Sequence, residues 1–114
     1  MTFGYDAVIE DSGHEARARE RLALSRGIDL LKQMQSGRLL PNEETEALLY
    51  IRRLWTFFVL DLATPQNGLP DKLRAELISI GIWIIKEADR LREQKSTEVT
   101  DLVLINTVIR DSLT

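Results

Sequence analysis

The chain has 114 residues and carries 15 Lys or Arg against 18 Asp or Glu, which gives a formal net charge of −3 at pH 7. With 44% hydrophobic and 29% charged residues, it has the composition of one soluble globular domain spanning residues 1–114, which excludes disordered and fibrous classes. The lack of Cys and the single His exclude a disulfide framework and the usual thiolate or multi-imidazole metal sites, so we expect no metal and no cofactor.

Residues 1–13 are predicted to form a short N-terminal arm, because they contain two glycines and three acidic residues and show little helical periodicity. A secretion signal would need a basic start followed by an apolar run, which this segment lacks. The longest uncharged apolar run, Leu77 to Ile85, has nine residues, whereas a bilayer crossing needs about 20. We therefore expect a cytoplasmic protein that does not insert into membranes, with this run as part of a core helix.

The first helix is predicted from a capping signal and from the spacing of its apolar residues. Residues 12–15 are Ser-Gly-His-Glu, the S-x-x-E pattern of a capping box, so the helix should begin near residue 13. It should end near residue 36, because Gly37 and then Pro41 follow. Gly27 lies inside this helix and lowers its stability by about 1 kcal/mol relative to Ala.

The charges around this helix are unevenly distributed. Residues 1–13 hold three acidic and no basic residues, whereas residues 14–38 hold six basic and three acidic residues. The basic residues either belong to a solvated mixed-charge face or are covered by the acidic arm, near Arg17, Arg19 or Arg21, until a partner displaces it. Because acids are interspersed and the whole chain is acidic, we expect no direct binding to nucleic acid.

The second helix should begin at Asn42, because three glutamates among residues 43–46 suit the positive end of a helix dipole. Its apolar residues cover most sides, so it should be the central helix of the fold. It should end at Thr64-Pro65, where a turn begins.

Two further helices complete the predicted fold. In the turn, Asn67 and Gly68 are expected to adopt positive φ, and Pro70 suits the first position of the third helix. A fourth helix should begin near Val99 and continue to near the C-terminus. Connections shorter than eight residues favour antiparallel neighbours, so the sequence predicts an all-α fold, a compact bundle of about four helices with a short N-terminal arm.

Catalytic signals are weak. His14 lies at a predicted helix start without a nucleophile or metal-ligand partner at helical spacing, and the glutamates among residues 43–46 are explained by the helix dipole. The sequence contains no phosphate-binding loop, dinucleotide fingerprint or zinc-protease motif, so we do not expect an enzyme. Trp55 and Trp83 both fall on apolar stripes and are predicted to be core residues.

One block of residues resembles a known family. The resemblance is carried by Arg52-Arg53-Leu54-Trp55-Thr56, Asp61-Leu62-Ala63, Asn67-Gly68-Leu69-Pro70, Leu73-Arg74-Ala75, Ser79-Ile80, Trp83, Leu102, Ile105-Asn106 and Leu113. In order and spacing these residues resemble the FlaF family of flagellar biosynthesis regulators of alphaproteobacteria. The resemblance implies a cytoplasmic protein needed for flagellin production, acting opposite the partner regulator FlbT. It also implies a flagellin-binding export chaperone.

Two functions are compatible with that resemblance. Flagellin's terminal segments are amphipathic helices that pack in the filament, so a chaperone could cover them in an apolar groove, which we expect on the second and third helices. The alternative is a regulator that acts on flagellin messenger RNA with or against FlbT. We favour the chaperone, because the sequence shows no aromatic residues on a basic surface for stacking RNA bases. The predicted partner-binding residues are Arg53, Leu54, Trp55, Phe58, Leu69, Trp83 and Asn106.

Overall fold

In the computed structural model, residues 10–113 are described, with side chains from residue 14 onwards. Within that range the chain forms four helices and no strand. The helices are α1 (Glu10–Gln35), α2 (Pro41–Leu62), α3 (Asp71–Gln94) and α4 (Thr100–Ser112). The predicted all-α bundle of four helices is therefore confirmed. None of these helices is both long enough and apolar enough to cross a membrane.

α1 begins earlier than the sequence predicted. It starts at Glu10 rather than near residue 13, so the Ser-Gly-His-Glu pattern at residues 12–15 lies inside the helix and does not cap it. The physical reason is that acidic residues are favoured in the first turn of a helix, and residues 10 and 11 are Glu and Asp. Residues 1–9 of the predicted arm, and the predicted shielding of Arg17, Arg19 or Arg21 by that arm, lie outside the described residues.

The end of α1 and the start of α2 follow the predicted signals closely. Gly37 has φ +73°, and its N–H donates to the Met34 carbonyl at 3.2 Å, which closes the last turn of α1. α2 then begins at Pro41, one residue before the predicted position. The Leu40 N–H donates to Glu43 Oε1 at 2.8 Å, so one of the predicted first-turn glutamates also caps the helix.

The turn between α2 and α3 is built differently from the prediction. Among residues 10–113, positive φ occurs at Gly37 and Lys95, so the predicted positive φ at Asn67 and Gly68 is wrong. The Asn67 side chain closes the turn instead. Its Oδ1 accepts the Leu69 N–H at 3.1 Å, and its Nδ2 donates to Asp61 Oδ2 at 3.2 Å.

This difference predicts that the same substitution at two glycines has unequal effects on stability. Gly37→Ala is expected to lower the free energy of unfolding by about 1–2 kcal/mol, because an L-residue is strained at this left-handed position. Gly68→Ala is expected to change it by no more than about 0.5 kcal/mol, because Gly68 is exposed and outside that region. Urea unfolding followed by circular dichroism measures both values. Equal losses in the two variants would contradict this account of the turn.

α2 lies at the centre of the fold, as predicted, and packs against both α1 and α3. Its buried residues are Ala47, Leu48, Ile51, Leu54, Trp55, Phe58 and Leu62. On the α1 side, a Cβ built on Gly27 would lie 2.8 Å from Ile51 Cδ1, and the Tyr50 hydroxyl donates to the Ala23 carbonyl at 2.8 Å. Gly27 therefore permits the close approach of these two helices, which offsets its unfavourable helix propensity.

α3 packs closely against α2 in the antiparallel direction. A Cβ built on Gly81 would lie 2.5 Å from Val59 Cγ2 and 3.1 Å from Trp55 Cε3. Farther along the same interface, Arg52 Nε donates to Asp89 Oδ1 at 2.9 Å. The missing side chain at Gly81 thus allows the backbone of α3 to lie against the central helix.

α4 packs against α1, which brings the last helix back to the first. Arg21 Nη1 donates to the Leu113 carbonyl at 3.1 Å, and Gln35 Nε2 donates to Thr100 Oγ1 at 3.1 Å. The two contacts join opposite ends of the helices, so α1 and α4 are antiparallel. α3 and α4 are not among the closely packed helix pairs, and the space between them is open to solvent on one side.

Candidate functional site

An apolar groove lies in the space between α3 and α4. It has a volume of about 500 Å³, which is within the range of ligand pockets. Its lining residues are Ser79, Ile80 and Trp83 on α3, and Asp101, Leu104, Ile105 and Val108 on α4. We call this surface the α3–α4 groove.

The groove has a partly buried floor and exposed walls. Ile80 and Ile105 are half-buried and pack against the core, so they form the floor. Trp83, Leu104 and Val108 are large apolar side chains that remain 44%, 60% and 62% exposed, respectively. A monomeric protein normally has scattered exposed apolar residues, whereas contiguous ones on two facing helices are typical of a binding surface.

A buried hydrogen bond holds α4 in place beside the groove. Trp55 Nε1 on the central helix donates to Asn106 Oδ1 at 2.7 Å, and Asn106 Nδ2 donates to the Leu102 carbonyl at 2.8 Å. Trp55 also packs edge-to-face on Phe58, with ring centroids 5.3 Å apart. Because Asn106 must face the core to meet Trp55, Leu104 on the other side of α4 faces the groove.

The charges around the groove are few. Of its lining residues, Asp101 alone is charged, and Ser79 is the other polar member. The lining is therefore apolar except at Ser79 and Asp101, and Asp101 is the position that favours a basic group.

The structure separates the predicted partner-binding residues into two groups. Leu54, Trp55, Phe58 and Asn106 are buried in the core, so they do not reach the surface in this conformation. Arg53 is exposed on the outer face of α2, Leu69 is half-buried ahead of α3, and Trp83 lines the groove. Their role in partner binding stays a prediction, but only Trp83 belongs to the α3–α4 groove.

Both tryptophans were predicted to lie in the core, and one of them does. Trp55 is fully buried, which confirms its assignment to the core. The assignment of Trp83 to the core is wrong. On α3 the buried residues are Gly81, Ile84, Ala88 and Leu91, and Trp83, next to Ile84, is turned about 100° away from that line. For the same reason the apolar run from Leu77 to Ile85 is only partly a core segment.

A groove was expected on the second and third helices, whereas the α3–α4 groove lies on the third and fourth. α2 and α3 pack closely against each other, and α3 and α4 leave a space between them. Sequence reasoning missed Leu104 and Val108. The available signal was a second apolar stripe on α4, Leu104 with Val108 four residues later, lying beside the stripe of Leu102 and Ile109.

Comparisons with known proteins give one match. The family model described as "Flagellar protein FlaF" matches residues 1–113 of the chain. No curated protein and no solved structure matches it.

Proposed function

The chain belongs to the FlaF family of flagellar proteins, and from that premise we propose that it is a cytoplasmic chaperone that binds flagellin before export. The α3–α4 groove carries this proposal, because it presents an apolar surface that the residues with described side chains, 14–113, leave exposed. An unexported flagellin subunit has the matching requirement, because its amphipathic terminal helices lack their filament neighbours. Helix-in-groove binding would bury both surfaces together.

The dimensions of the groove fit about two turns of a bound helix. Its α4 wall extends over the eight residues from Asp101 to Val108, whose Cα atoms span roughly 10 Å along the axis at 1.5 Å per residue. A helix of that length presents apolar residues at positions i, i+3, i+4 and i+7 to one side. Trp83 and Leu104 would contact these residues from opposite walls, and Asp101 would pair with a basic residue of the bound helix.

A charge placed in the groove tests the proposal. Leu104→Asp is expected to weaken flagellin binding at least tenfold, about 1.4 kcal/mol, because a desolvated carboxylate would face an apolar helix. The matched control is Leu22→Asp, the same change at an exposed position on α1, which should leave the affinity within about twofold. Titration calorimetry with monomeric flagellin measures both affinities, and melting temperatures show that both variants fold.

The wild-type complex should also survive high salt, because apolar burial depends little on ionic strength. Unchanged affinity of Leu104→Asp would exclude the α3–α4 groove as the flagellin site. Failure to bind flagellin at all, together with salt-sensitive binding of flagellin messenger RNA, would favour the alternative of a messenger-level regulator.

A further inference from the structure

A second exposed apolar surface lies on the outer face of α2, on a different helix from the α3–α4 groove. Phe57 and Leu60 are 57% and 66% exposed there. Two shallow depressions of about 200 and 280 Å³ lie on either side of the Phe57 ring. Arg53 lines one of them, and Asp61 lines the other. We call Arg53, Phe57, Leu60 and Asp61 the α2 patch.

The α2 patch has opposite charges at equal distances from its centre. Arg53 lies four residues before Phe57 and Asp61 lies four residues after it, each about 6 Å along the helix axis. Reversing the direction of the helix about Phe57 therefore exchanges an Arg for an Asp at these two positions.

This arrangement is complementary to itself, and we propose that the α2 patch is the interface of a homodimer in which two copies of α2 pack antiparallel about a two-fold axis at Phe57. A two-fold axis there places each Arg53 opposite Asp61 of the second copy. The two Phe57 rings meet at the centre. The dimer thereby gains two ion pairs and covers the exposed apolar side chains.

The contacts within one chain leave these charges available. Arg53 Nη1 lies 4.0 Å from Glu46 Oε2, and both side chains are exposed, so this ion pair is weak. Asp61 Oδ2 accepts a hydrogen bond from Asn67 Nδ2 at 3.2 Å, which orients the carboxylate without supplying a positive charge. An arginine from a second copy would be a stronger partner for it.

Charge-reversal variants of the full chain test the proposal. Their self-association is measured by analytical ultracentrifugation. The wild type should double its mass with concentration across the micromolar range. Arg53→Asp alone and Asp61→Arg alone should each weaken self-association at least tenfold, because two like-charge contacts replace two ion pairs. An equimolar mixture of the two variants should recover dimers, because every contact in the mixed dimer again joins opposite charges.

Two further variants complete the experiment. Phe57→Asp should be monomeric, and Leu104→Asp in the α3–α4 groove should dimerise like the wild type, which separates this surface from flagellin binding. A wild type that stays monomeric throughout would overturn the proposal. It would also be overturned if either single charge variant dimerised normally, or if the mixture of folded variants stayed monomeric.

Discussion

Trp55→Ala is expected to lower the free energy of unfolding by about 3–5 kcal/mol, because it removes the largest buried side chain of the central helix. That loss is a large share of the 5–15 kcal/mol that typically stabilises a domain. It includes the packing of Trp55 on Phe58 and the hydrogen bond to Asn106. Urea unfolding followed by circular dichroism at 222 nm gives the value.

Trp55→Phe separates the two contributions. Phenylalanine keeps much of the apolar volume but leaves Asn106 Oδ1 buried without its indole donor, which should cost about 1–3 kcal/mol. If Trp55→Ala instead unfolded like the parent and lost flagellin binding, Trp55 would be a contact residue and its assignment to the core would be wrong.

Gly81→Leu is expected to lower the free energy of unfolding by about 3 kcal/mol. Any side chain at this position would overlap Val59, and the buried Trp55 ring behind it cannot move away without opening the core. The better helix propensity of Leu recovers only about 1 kcal/mol of that cost. The matched control is Ala75→Leu, on an exposed part of α3, which should stay within about 0.5 kcal/mol of the parent.

Both variants can be compared by the same urea unfolding measurement. If Gly81→Leu retained the parental stability, α3 would have to shift along or away from α2 at little cost. The close approach of α2 and α3 would then not be a requirement of the fold.

Hydrophobic periodicity was sufficient to predict the number of helices and the central place of α2. It also predicted that Trp55 is buried, because this residue lies in the middle of the apolar stripe of α2. Periodicity identifies which residues share a face of a helix, but not which neighbouring helix covers that face. Trp83 and the run from Leu77 to Ile85 were therefore predicted to lie in the core, although Ile82 and Trp83 are exposed.

Predictions from local sequence signals were wrong where another group starts the helix or closes the turn. The Ser-Gly-His-Glu pattern at residues 12–15 did not start α1, because the helix continues to acidic residues upstream. Positive φ was expected at Asn67 and Gly68, but the Asn67 carboxamide helps to close the turn without it. The position of the α3–α4 groove could not be predicted either, because it depends on α4 packing closely against α1 and not against α3.

The two tryptophans lie in different environments, so the intrinsic fluorescence of the protein can report on both regions. The sequence contains two tryptophans, of which Trp55 is buried in the core and Trp83 is partly exposed to solvent. A soluble quencher such as acrylamide would therefore reach Trp83 and spare Trp55 in the native state. Occupation of the groove would protect Trp83 and shift its emission to the blue, whereas quenching of Trp55 would report the opening of the core. Binding and unfolding can thus be followed in one fluorescence experiment without attaching a dye.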